Sequence, residues 1–253
     1  MKITVLGCGG SGGVPTAAGD WGACNPDEPR NHRSRTSVLV EDGATTLLID
    51  TSPDLRSQLL RARPERISAI LYTHCHADHT HGFDDIRYLN IKQNRAMDIY
   101  GDAATIAELQ QRFAYAFETK GEGEYYRPAI VPHIIDGPFS IDGIAVQPFV
   151  QDHGNSQSLG FRCGKFAYST DVKNLDAAAF DALKGVECWI VDAVREEPHP
   201  VHSHVAQTLD WIARVDPRQA YITHMNNSLD YAALAARLPP HVAPAYDGLV
   251  ITL

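Results

Sequence analysis

The sequence predicts an α/β fold of mixed type, an αββα sandwich in which two mixed β-sheets pack face to face with helices outside. Three observations predict it. Strand-like runs and helical segments occur in both halves of the chain, and no repeat, low-complexity tract or linker separates them. The 253 residues, 44% hydrophobic and 21% charged, suffice to bury a full core in a single domain spanning 1–253.

In the first half, strand-like runs lie at 3–6, 37–40, 45–50 and 67–73, and Glu41-Asp42-Gly43-Ala44 reads as a hairpin turn. Residues 53–62 read as a helix entered through Ser52 and Pro53, because proline is preorganised for a first helical turn. Ile106, Leu109, Phe113 and Phe117 step by three, four and four along one face, which predicts a helix after a strand at 97–100. Residues 119–127, with Gly121, Gly123 and Tyr125-Tyr126, read as a mobile surface loop. The second half predicts strands at 130–135, 139–150, 159–162, 166–170, 188–194, 220–223 and 249–253. Helices are expected at 177–183, 205–215 and 231–238.

Composition narrows the function. A net charge of -9 repels polyanions over most of the surface, while bound divalent cations would reverse the field locally in a cleft. A small anionic substrate is expected, and no long nucleic acid. No apolar stretch approaches the roughly 20 residues that span a bilayer. Residues 1–6 run into glycine-rich sequence without a signal-peptide core, so a cytoplasmic location without membrane contact is expected. Five cysteines without CxxC spacing suggest neither a disulfide framework nor a cysteine zinc site.

Chemistry concentrates in Thr73-His74-Cys75-His76-Ala77-Asp78-His79, which follows an apolar run and crowds metal-competent side chains into one strand-to-helix turn. Imidazole nitrogen and carboxylate oxygen suit zinc, manganese or iron. Alternation sends His74 and His76 to one side, away from Cys75, while Asp78 and His79 would face a second ion. His153, Asp171 and His224 each sit where a strand-like run ends, the place where rigid scaffolds mount functional loops. Gly7-Cys8-Gly9-Gly10-Ser11-Gly12 matches a dinucleotide-binding pattern, but Pro15, Gly19, Gly22 and Pro26 leave no room for the helix such a loop must open.

The HxHxDH turn resembles the metallo-β-lactamase superfamily. That resemblance implies a first metal held by His74, His76 and His153, a second by Asp78, His79 and His224, and Asp171 bridging them. It also implies hydrolysis by a bridging hydroxide between two divalent ions, zinc or manganese, about 3.5–4 Å apart, with Asp78 a catalytic as well as a ligating residue. In His199-Pro200-Val201-His202-Ser203-His204, similarity to the phosphodiesterase branch makes His202 the acid or phosphate-orienting residue. A histidine suits the task because it titrates near neutrality. His204 is open to the same role; in the other reading Ser203 or His204 caps the next helix and His202 lies at the surface. A basic cluster, Arg30, His32, Arg33 and Arg35, is open to two readings, a phosphate contact through Arg33 and Arg35 or a solvated turn; Asn226 is a further candidate substrate residue.

Across the chain, Gly7 to Pro15, Trp21-Gly22, His74 to His79, His153, Asp171, His202, Thr223-His224 and Tyr246-Asp247-Gly248 are most similar to the phosphoribosyl 1,2-cyclic phosphate phosphodiesterase branch. That family carries a further structural zinc on cysteines after the Trp-Gly pair and on a late histidine. Here only Cys24 remains and Asn227 holds the late position, so two divalent ions and no structural third zinc are expected. The expected function is a two-metal hydrolase of a small cyclic ribose phosphate or nucleotide-like ester, and the family implies a homodimer. Ribonuclease Z-like cleavage of transfer RNA, thioester or lactone hydrolysis, and a metal-containing accessory role like that in pyrroloquinoline quinone synthesis are the competing readings.

Overall fold

The computed structural model describes residues 1–117 and 130–253; the loop expected at 119–127 lies outside the described residues. The first sheet holds β1 (Lys2–Gly7), β2 (Ser37–Asp42), β3 (Thr45–Ile49), β4 (Ala69–Leu71), β5 (Met97–Gly101) and β6 (Ile130–Ile134). The second holds β7 (Phe139–Ile141), β8 (Ile144–Asp152), β9 (Gln157–Cys163), β10 (Phe166–Ser169), β11 (Cys188–Asp192), β12 (Gln219–Thr223) and β13 (Val242–Pro244). The last strand, β14 (Val250–Thr252), returns to the first sheet beside β1, giving the orders β14-β1-β2-β3-β4-β5-β6 and β13-β12-β11-β10-β9-β8-β7. Both sheets are mixed: β3 to β6 and β10 to β13 run parallel, and the remaining neighbours are antiparallel.

Alternation along the strands builds the layers. Ile3, Val5, Val38, Val40, Leu47 and Ile49 point between the sheets and meet Phe161, Phe166 and Tyr168 of the second sheet. Their neighbours Leu6, Leu39 and Leu48 face the other way and pack under Leu55, Ile86, Ile106 and Leu109 of the outer helices. The helices of the first half are α1 (Leu55–Ala62), α2 (Ala77–Thr80), α3 (Ile86–Gln93), α4 (Ala103–Arg112) and α5 (Ala114–Phe117); α6 (Ala177–Leu183), α7 (Val205–Val215) and α8 (Tyr231–Ala235) follow. The expected αββα sandwich is the observed one.

Several boundaries differ from the sequence reading. The helix expected to run through Phe117 stops at Arg112, where Phe113 leaves helical geometry at φ -120 and ψ 37, and resumes for one short turn. The break still lets Phe113 and Phe117 stack on Phe83. The strand expected over 139–150 is a hairpin, because Asp142 and Gly143 both take positive φ and reverse the chain. Proline 53 lies just before α1 rather than in it, and α3 and β13 were not expected at all.

Candidate metal centre

The parallel strands carry the site at their carboxyl ends, the edge where open α/β sheets characteristically bind ligands. His74 follows β4, Asp171 follows β10, Asp192 closes β11 and His224 follows β12, while Asp50 follows β3 and His153 follows β8. Asp50, Asp171 and His224 all have left-handed backbone, with φ of 62, 52 and 57. That conformation is costly for residues with a Cβ, and such strain concentrates at functional sites. Here it turns the chain sharply as it leaves each strand.

These exits bring all seven expected ligands together. The ligand atoms of His74, His76, His153 and Asp171 lie within 4.8 Å of one another, and so do those of Asp78, His79 and His224. Asp171 stands between the two sets. Its Oδ1 is 3.8 Å from His74 Nε2 and 3.6 Å from His153 Nε2; its Oδ2 is 3.0 Å from His79 Nε2 and 3.3 Å from His224 Nε2. Asp78 Oδ2 lies 3.4 Å from the Nε2 atoms of both His79 and His224. His76 is exposed and Asp78 partly so, while the other five ligands are buried.

The charges show what the cluster is built to hold. Burial pushes the Asp171 carboxyl up, but the imidazoles of His224, His79 and His74 hold it well below the usual carboxylate range. Burial also opposes a charge on His79 and His224, yet Asp171 and the neighbouring carboxylates prevail, lifting His79 well above the ordinary imidazole value and His224 to about 9. Burial and the facing His79 instead depress His74, and burial depresses His153. The second set therefore demands positive charge. His74 Nε2 is buried without a hydrogen-bond partner among the described residues and faces Asp171 at 3.8 Å, so it is open to a metal ion. Imidazole and carboxylate donors in two converging sets fit divalent ions.

Behind the ligands stand residues that sequence reasoning missed. Asp50, fully buried, accepts hydrogen bonds from His79 Nδ1 at 2.7 Å, Thr73 N at 2.8 Å and Thr73 Oγ1 at 2.8 Å, and Thr73 Oγ1 lies 3.0 Å from His74 Nδ1. His153 Nδ1 donates to the Val201 carbonyl at 2.7 Å. Second-layer partners of this kind set the tautomer and ring orientation of ligating histidines. A signal was present: Leu47-Leu48-Ile49-Asp50 and Trp189-Ile190-Val191-Asp192 are buried strands that end, like the strand before Asp171, in an aspartate.

His202 joins the cluster, with Nε2 at 3.8 Å from Asp171 Oδ1 and Nδ1 at 3.0 Å from Asp192 Oδ2. His204 occupies the cap position of α7 without a side-chain cap bond. The remaining candidates for substrate contact are placed otherwise. Arg33 is 2% exposed and donates to Asn31 Oδ1 and to the carbonyls of Leu229 and Asn226, so it fastens two loops and is closed to a substrate phosphate. Arg35 pairs with Asp54 at 2.9 Å. Asn226 Oδ1 accepts from Ser228 N and Oγ, shaping the turn after His224. Cys24 donates to the Leu229 carbonyl and Asn227 to Asp20, with the Gly22 backbone packed against Asn227. A cavity of about 740 Å³ opens beside His74 and His76, lined by Asp102, Thr105, Asp152, Asn155 and Asn174.

The family described as the beta-lactamase superfamily domain matches residues 45–225, which carry every ligand named above. The chain belongs to the β-lactamase superfamily. Within this superfamily it is similar to a diphosphatase of the PhnP family, with 32% identity and a TM-score of 0.91 over 99% of this chain and 97% of that one, which puts it on the PhnP-like branch. An octanoyltransferase of Porphyromonas gingivalis is 30% identical over 255 residues, 98% of this chain and 51% of that protein. The chain thus spans about half the length of that curated relative. Zinc-bound PqqB from Methylobacterium extorquens shares the fold, at 19% identity and a TM-score of 0.75 over the whole of both chains. The superfamily fold and the paired ligand sets together make this cluster a divalent-metal site. Among the described residues, no helix is long and apolar enough to cross a membrane.

Proposed function

We propose that the protein is a two-metal phosphodiesterase acting on a small cyclic ribose phosphate or nucleotide-like ester. The observation that carries this reading is the split of Asp171, whose two oxygens serve two separate ligand sets. His74, His76 and His153 would hold one ion and Asp78, His79 and His224 the other. Two divalent ions there would neutralise charge building on a phosphoryl group and acidify a water.

The chain supplies the rest. Asp50 and Val201 hold the rings of His79 and His153 so that Nε2 faces inward. The cavity beside His74 and His76 offers carboxylates, amides and a hydroxyl, a lining suited to the hydroxyl groups of a ribose. His202, its ring held by Asp192, gives the proton at Nε2 to the leaving oxygen as that oxygen takes the electron pair of the breaking P–O bond. The likeness to a PhnP-family diphosphatase supports phosphorus as the centre attacked.

Hydrolysis of an activated aryl phosphodiester by metal-free protein reloaded with manganese or zinc tests this. Turnover restored by one metal is expected. Full metal occupancy with no turnover, followed by activity on a thioester or lactone, would replace the reading.

A further inference from the structure

Asp192 closes β11 with its side chain fully buried. Its Oδ2 lies 3.0 Å from His202 Nδ1 and accepts the Val172 amide at 3.1 Å. Its Oδ1 faces His224 Nδ1 at 3.7 Å, and both of those atoms are buried without a hydrogen-bond partner among the described residues. Buried polar atoms are nearly always paired, so two orphans facing each other at 3.7 Å point to each other as partners. The main chain is held as well, because the Asp192 carbonyl accepts Ser203 Oγ at 2.7 Å and Thr208 Oγ1 at 2.6 Å from the start of α7. Four segments therefore meet at this one residue: the exit of β10, the His202 loop, α7 and the exit of β12.

We infer that Asp192 is a shared positioning residue whose two carboxylate oxygens hold the Nδ1–H groups of His202 and His224, so that both imidazoles present Nε2 to Asp171. Asp192 Oδ2 already accepts the Val172 amide, and with both carboxylate oxygens acting as acceptors each ring facing them carries its hydrogen on Nδ1. That tautomer leaves His224 Nε2 with a lone pair for a metal ion and fixes His202 with Nε2 toward Asp171, 3.8 Å from its Oδ1. One side chain thus ties the proton-handling group to the second ligand set. The catalytic half of this inference rests on the role given to His202 above; the assignment of the hydrogens does not.

Long-range proton–nitrogen spectra of the zinc-loaded, nitrogen-15-labelled protein test it. Neutral His202 is expected to be protonated at Nδ1, with slowly exchanging downfield Nδ1–H signals for both His202 and His224. Asp192→Asn keeps the shape but removes the charge. Only one accepting oxygen remains, so it is expected to lose at least one of the two signals, weaken the second zinc about 10- to 100-fold in competition titrations and lower kcat by a similar factor, with KM changed less than about threefold. His202→Ala should leave zinc affinity within about threefold, because it removes the proton donor and not a ligand. A wild-type His202 protonated only at Nε2, or an Asp192→Asn protein that keeps both signals and both zinc affinities, overturns the assignment. The wild-type spectrum decides even where the variant does not fold. Expected spectra and titrations without phosphodiester turnover would uphold the positioning role and refute the phosphodiesterase reading.

Discussion

Asp50 never faces the cleft, yet three of its hydrogen bonds decide where His79 and Thr73 stand. Asp50→Ala should therefore weaken the second metal about 10- to 100-fold with the ligands themselves intact, as competition titration with a chromophoric chelator would show. Asp78→Asn removes charge at the same place and should collapse turnover, while His202→Ala should slow it with metal content unchanged; normal turnover in either variant would remove that residue from the mechanism. Protons compete with metal at His79 and His224, whose values are raised, the latter to about 9. Near neutral pH, metal uptake should therefore release protons, and affinity should rise with pH until His224 is deprotonated. Calorimetry in buffers of different ionisation enthalpy measures that release directly. The clustering was legible in the sequence because His74, His76, Asp78 and His79 crowd one turn. Asp50 and Asp192 were legible only as aspartates ending buried strand-like runs; the rings they hold are set by their neighbours in space and not by spacing along the chain.

Whole elements position these residues through contacts that a single methyl group can disturb. The turn ending in α2 is clamped to the loop after β3, with Thr51 N donating to the His79 carbonyl at 2.8 Å and Gly82 N to the Thr51 carbonyl at 2.9 Å. A Cβ on Gly82 would run into the Ser52 carbonyl oxygen and Leu55. Gly82→Ala should cost about 1–3 kcal/mol in chemical denaturation, the usual penalty of overpacking, and should disturb the second metal before the first because His79 shares the clamp. Elements whose apolar residues repeat at the helical period, such as α7 with Val205, Leu209 and Ile212 packed in or against the core, were readable with their boundaries. α3 was not, since only Ile86 and Asn90 are buried while Tyr88 and Ile91 are exposed, which scatters the pattern. Three residues ending in proline gave β13 no strand signature either.

At the scale of the molecule, charge and stability are linked through the site. Protonated His224 has a folded value of about 9 against an ordinary 6.5, so its contribution to the metal-free protein is complete below pH 6.5 and is lost as pH rises through 9. Asp171 has the opposite sign: its value is depressed below 3.8, so its contribution is present above that pH and is lost as pH falls through the folded value. Thermal scans should show the Tm of metal-free protein falling as pH rises from 6.5 through about 9, whereas metal-loaded protein holds its Tm because an ion replaces the proton. The layered fold was legible from strand-like runs and helices in both halves of the chain, but the convergence of its strand ends was not, because it depends on how two sheets twist past one another. Four residues of the cluster leave the first sheet and three leave the second. A metal ion held by them would be a rivet through the two layers, and its arrival should slow amide exchange in β4 and in β10 and β12 together, in strands that share no hydrogen bond with one another across the sandwich.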